Sequence, residues 1–140
     1  MEDSEVKKSD DFCEGYKKFL DAAKTEREAV DYTVELLEKN GFVPFKVGMG
    51  LKAGDKVYVN NRGKAVILAV IGKEPIENGV KIAAAHIDSP RLDLKQCPVY
   101  EDNDIALFKT HYYGGIKKYQ WTALPLALHG VIVKSDNTTV

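Results

Sequence analysis

Apolar and polar positions along this chain change period several times, and each change marks an element. Between residues 10 and 22, Phe12, Tyr16, Phe19 and Leu20 recur at helical spacing and predict an amphipathic helix, weakened by Gly15. The next helix is more strongly marked. Thr25-Glu26-Arg27-Glu28 is a capping box, in which the threonine hydroxyl serves an orphan N–H and Glu28 reaches back to the cap. Ala29, Val30, Val34 and Leu37 then share one face, and Asn40-Gly41 ends the helix with residues that tolerate positive φ. Phe42-Val43-Pro44-Phe45 opens a strand-rich part. Lys56 to Val59 reads as a strand, Asn60-Asn61-Arg62-Gly63 as a turn and Lys64 to Ile71 as a second strand, together a hairpin. Ala65 to Ile71 is apolar throughout and is expected to be buried on both faces.

After a polar connection from Gly72 to Gly79 comes the stretch that carries candidate chemistry. Ile82 to Ala85 is a continuous apolar run, and residues 80–85 are expected to form another buried strand beside 65–71, since sequential strands are usually neighbours. His86 and Asp88 follow at its C-terminal end, where open α/β sheets collect ligands. Alternation along a strand places both on one side. Ser89-Pro90 ends the run, because proline offers no N–H to a ladder. A neutral imidazole is a metal ligand, and a nearby carboxylate fixes its tautomer and raises its basicity. The same tripeptide also suits a histidine held by an aspartate with no metal at all, and the motif alone does not choose between them.

Beyond Pro90 the character shifts. Arg91, Asp93, Lys95 and Glu101 to Asp104 form a charged, partly irregular span, with Leu92 and Leu94 alternating as in a half-exposed strand. Ile105 to Phe108 is a short apolar strand. Tyr112-Tyr113-Gly114-Gly115 requires an unusual backbone, suited either to a tight turn or to the wall of a cleft. Trp121 to Val133 reads as one or two strands with Pro125 at an edge or bulge, Ser135-Asp136-Asn137 as a turn, and Thr138-Thr139-Val140 as a strand beginning.

Composition narrows the classes. The 140 residues are 44% hydrophobic and 29% charged, as in a soluble globular protein. A net charge of -1 gives no basic field for nucleic acid and no polybasic patch for a membrane surface. No apolar segment approaches the roughly 20 residues needed to span a bilayer. Met1-Glu2-Asp3-Ser4-Glu5 lacks the basic and apolar regions of a signal peptide. Cys13 and Cys97 form no CxxC, and two reduced thiols in a cytoplasmic protein are expected.

Two ordered blocks add a more specific reading. Ala85-His86-Ile87-Asp88-Ser89-Pro90-Arg91-Leu92-Asp93-Leu94-Lys95 resembles the His-x-Asp-Ser-Pro segment of the M18 metallopeptidases, the aspartyl aminopeptidase family. Tyr113-Gly114-Gly115-Ile116, Trp121 and Leu126-Ala127-Leu128-His129-Gly130-Val131-Ile132-Val133 resemble its second block, in the same order. The bacterial branch is nearer, and the resemblance covers most of the chain. It implies an α/β fold: the N-terminal part of a zinc-peptidase-type catalytic domain, helices packed on a mixed sheet, running into a β-rich inserted domain. On that pattern residues 1–90 belong to the catalytic domain, and residues 91–140 begin the inserted domain that serves oligomerisation and covers the site. The shift in composition after Pro90 falls at the same place.

The implied function is a zinc-dependent aminopeptidase that removes N-terminal residues from peptides, with two zinc ions per active site, in the cytoplasm and as a homo-oligomer. His86 matches a zinc ligand and Asp88 the catalytic aspartate that orients the site. The other ligands and the general-base glutamate match no position here, so the chain is expected to be an inactive N-terminal portion when alone. His111 and His129 match no ligand position. Where the family carries an Asp-Arg pair after its tryptophan, this chain has Ala123-Leu124, and Ile116 replaces a third glycine. The usual preference for acidic residues is therefore not carried over. A reading from another class also stands: a non-catalytic assembly or interaction module, in keeping with the missing ligands and the strand-rich second half.

Overall fold

The capping box forms as its residues require. Thr25 N donates to Glu28 Oε2 at 2.8 Å, and Glu28 N donates to Thr25 Oγ1 at 3.3 Å. This starts helix α2, Glu26–Lys39, in a computed structural model that describes residues 3–140. Helix α1, Asp3–Ala22, begins before the stretch marked by its aromatic residues. The preceding residues include Lys7 and Lys8, good helix formers, and one interior glycine costs a helix only roughly 1 kcal/mol. Phe19 of α1 meets Tyr32 of α2 edge-on, with ring centroids 5.7 Å apart.

The chain divides into two compact units, one running to Ile87 and the other Asp88–Val140. In the first, strands β1 (Val43–Pro44), β2 (Lys56–Asn61) and β3 (Ala65–Val70) form one sheet in that order. β1 runs parallel to β2, and β2 antiparallel to β3. The β2–β3 turn places Arg62 at φ 60° and Gly63 at φ 65°, the left-handed pair that suits the twist of a hairpin. Helix α2 buries Ala29, Val30 and Leu37, and β2 buries Val57 and Tyr58. Tyr58 Oη also donates to Glu38 at 2.7 Å, joining sheet to helix.

Two strand expectations fail here. β3 forms, but it is not buried on both faces: Ile67 is 68% exposed and Leu68 47%. β3 is the last strand in the sheet, and among the described residues none pairs beyond it. The expected strand over 80–85 does not form either. Apart from a short 3-10 turn at Ile76–Asn78, residues 71–90 lie outside helix and strand, and Val80 and Ile82 are exposed. The reason is common to both. An apolar run states a preference for burial, but a strand exists only where a neighbouring backbone pairs with it.

The second unit is built on a two-stranded ribbon, β4 (Arg91–Asp102) against β5 (Ile105–Tyr113). Asn103 and Asp104, both at positive φ, make the two-residue turn. The charged span after Pro90 is thus a single strand rather than partly irregular. Its one interruption is a register shift between Leu94 and Val99, where Cys97 has φ 51° and Pro98 has no N–H for the ladder. The strands expected over 121–133 are also corrected. Lys118–Trp121 is a one-turn helix, α3, and the following residues are irregular as far as a bridge between Val133 and Thr139. Asp136 closes that bridge's turn by accepting from Thr138 Oγ1 and N at 2.6 and 2.9 Å, which holds its carboxyl below the ordinary aspartate value.

Candidate functional site

His86 and Asp88 occupy the irregular stretch that leads into β4. His86 is exposed and Asp88 half-buried. The boundary between the units falls between Ile87 and Asp88, so His86 belongs to the first and Asp88 opens the second.

Within the second unit, the backbone just after Asp88 is held closely. Pro90 packs on Gly114: a Cβ added there would lie 3.3 Å from Pro90 Cα and 3.5 Å from its Cβ. Gly114 also has φ +74°, a conformation that side chains disfavour. One residue on, Arg91 pairs with Tyr113 across the ribbon, its guanidinium carbon 4.3 Å from the ring centroid. Arg91 Nε donates to Asp93 Oδ1 at 2.7 Å, and Nη1 donates to the Ser89 carbonyl at 3.4 Å. The sequence showed the glycines but not their partner. Positive φ at Gly114 was legible as an unusual backbone, whereas its contact with Pro90, far away in the chain, was not.

His111 and Tyr112 stack with centroids 5.6 Å apart. Together with Ile116, Lys118 and Trp121 they border an open depression of about 400 Å³, where the Lys118 ammonium lies 4.1 Å from the Tyr112 ring. Of the second sequence block, Ile116 and Trp121 thus come together there.

As a metal centre, the chain's own donors fall short. Among the described residues no three His, Cys, Asp or Glu side chains converge where an ion would be held. Zinc sites require three or four protein ligands. His86 and Asp88 therefore do not complete a site from this chain. No helix among the described residues is long and apolar enough to cross a membrane.

The family model described as "Aminopeptidase I zinc metalloprotease (M18)" matches residues 19–140. A probable M18 family aminopeptidase 1 of Clostridium acetobutylicum is 54% identical over 143 aligned positions, covering 99% of this chain and 31% of the relative. The crystal structure of aminopeptidase I from Borrelia burgdorferi B31 superposes with a TM-score of 0.93 at 42% identity, covering 100% of this chain and 35% of that one. An M18-family structure from Thermotoga maritima gives a TM-score of 0.87 at 44% identity, covering 99% and 30%. The α/β architecture is therefore that of a zinc metallopeptidase class. The chain belongs to the M18 peptidase family, and it spans about a third of the length of the relatives it matches.

Proposed function

We propose that this chain contributes to a zinc-dependent aminopeptidase that removes N-terminal residues from peptides. The observation that carries the reading is His86-Ile87-Asp88-Ser89-Pro90, a histidine and a carboxylate two residues apart, inside the region matched by a zinc metalloprotease family. His86 would offer one imidazole nitrogen to zinc, and Asp88 would hold the ring or its neighbours in orientation. The remaining ligands of a two-zinc site would come from the part of the relatives' length that this chain does not span. Residues 1–90 would then be the first part of the catalytic domain and 91–140 the start of an inserted β-rich domain. The exposed apolar side chains of β3 and of the ribbon would be covered by further chain or by another copy in a homo-oligomer. The net charge and the two unpaired cysteines fit a cytoplasmic enzyme without nucleic-acid or membrane partners.

The test replaces His86 with alanine in the intact protein and follows bound zinc and hydrolysis of aminoacyl substrates. Both should be lost. Asp88→Asn should cost about 10–100-fold in metal affinity or activity, as when a ligand's supporting group is removed. Unchanged zinc and rate in His86→Ala would remove this histidine from the site.

A second reading, a non-catalytic assembly module, draws on the ribbon, where Val99, Ile105 and Phe108 are all more than half exposed. Light scattering separates the two. A defined oligomer that forms without metal, from an intact protein that hydrolyses nothing, favours the module.

A further inference from the structure

Asp88 is followed by two residues outside any ladder before β4 begins at Arg91. Connections of that kind are mobile unless something holds them, whereas a side chain that orients a reacting site must be held to about half an ångström. Here the three residues after Asp88 are each engaged. The Ser89 carbonyl accepts from Arg91 Nη1, Pro90 lies on the bare face of Gly114, and Arg91 is held between the Tyr113 ring and the Asp93 carboxylate. Pro90 adds its own fixed φ.

We propose that Gly114 and Arg91 are positioning residues that fix the chain leaving Asp88, so that its carboxylate is presented from a rigid exit. This rests on Asp88 serving the peptidase site proposed above. The neighbouring glycine sharpens the assignment. Gly115 has no atom within 4 Å of where its Cβ would stand and is not in the left-handed region, so a methyl group is tolerated there. At Gly114 a methyl group would be strained by the positive φ and would press on Pro90, 3.3 Å from its Cα. Two adjacent glycines thus differ in kind, one clasping the exit and the other sterically idle.

The experiment compares Gly114→Ala, Gly115→Ala, Arg91→Ala and Arg91→Lys in the intact protein. It reads kcat and KM on an aminoacyl substrate, together with amide hydrogen exchange at Ser89, Arg91 and Leu92. Gly114→Ala and Arg91→Ala should lower kcat by about 10–100-fold, as small misplacements of a catalytic group do, and leave KM within about twofold. The same amides should exchange faster while amides of helix α2 do not. Gly115→Ala should match the wild type. Arg91→Lys keeps the charge but loses the planar stack, and should fall between Arg91→Ala and the wild type. If Gly114→Ala fails to fold, the two Arg91 variants decide. Equal behaviour of the two glycine variants, or faster exchange with unchanged kcat, would overturn the positioning role. A wild type that neither binds zinc nor hydrolyses peptides overturns the peptidase reading instead, and unchanged exchange in Gly114→Ala then overturns the clasp as well.

Discussion

The two units spend similar apolar content in different ways. In the first, α2 lies on the sheet, and the five hydrophobic residues buried among those described (Ala29, Val30, Leu37, Val57 and Tyr58) belong to these two layers. In the second no residue is buried, although Leu94, Val99, Tyr100, Ile105, Phe108 and Tyr112 all stand on the ribbon. A two-stranded ribbon has no second layer to pack on, and alone it is marginal in water. What separates the units is therefore the number of layers and not the residues they contain.

The contrast can be broken most directly by truncating one apolar side chain in each unit. Leu37→Ala should destabilise this chain by about 2–5 kcal/mol, nearer the lower figure because Leu37 keeps 8% exposure. Phe108→Ala, at a position 56% exposed, should stay within about 0.5 kcal/mol. Denaturant unfolding of both variants checks this. A loss at Phe108 as large as at Leu37 would mean that the ribbon face is covered in solution, and the units would then be alike.

A smaller effect tests how one helix of each unit, α2 and α3, is started. Thr25→Ala removes the acceptor for Glu28 N and should cost about 1 kcal/mol. Glu28→Ala in the same background should add less than it does alone, since the two bonds form one reciprocal motif. Helix α3 of the second unit has no side-chain cap, so Lys117→Ala should leave stability unchanged. Shifts in the unfolding midpoint, compared across the three variants, decide.

How far the sequence could be read follows the same division. The capping box, the apolar face of α2 and the hairpin rest on contacts between near neighbours, and all three formed, although the hairpin's turn lies at 62–64 and Asn60 and Asn61 extend β2. The run from Ile82 to Ala85 asked for a partner strand that residue types cannot name, and it remained unpaired. Trp121 to Val133 was misread for the opposite reason: short apolar runs do not distinguish a strand from a helical turn or an irregular segment. At the candidate site, His86 and Asp88 were legible as a pair of donors at one end of an apolar stretch. The clasp of Pro90 on Gly114 was not, because it joins residues distant in sequence through a missing side chain, which no pattern of side chains reports.

The finest test concerns a hydrogen bond that ties the helix layer to the sheet layer. Tyr58 Oη donates to the Glu38 carboxylate, and this bond, with burial and the adjacent negative charge, raises the phenol's pKa above its ordinary value. The neutral phenol is thus favoured in the folded state. Its contribution to stability is fully present below the unfolded tyrosine pKa of about 10, and is lost as pH rises through the higher folded value. Tyr58→Phe should therefore lose stability near neutral pH and show a shallower alkaline decline than the wild type, with the two curves converging at high pH. Thermal unfolding followed from pH 7 upward by about four units spans the transition. In the second unit two of the bonds of Arg91 run to Ser89 and Asp93, each two residues away. Parallel alkaline curves for Tyr58→Phe and the wild type would show that the link between helix and sheet does not depend on this phenol, and the contrast between the units would then rest on other contacts, the apolar packing of α2 on the sheet foremost.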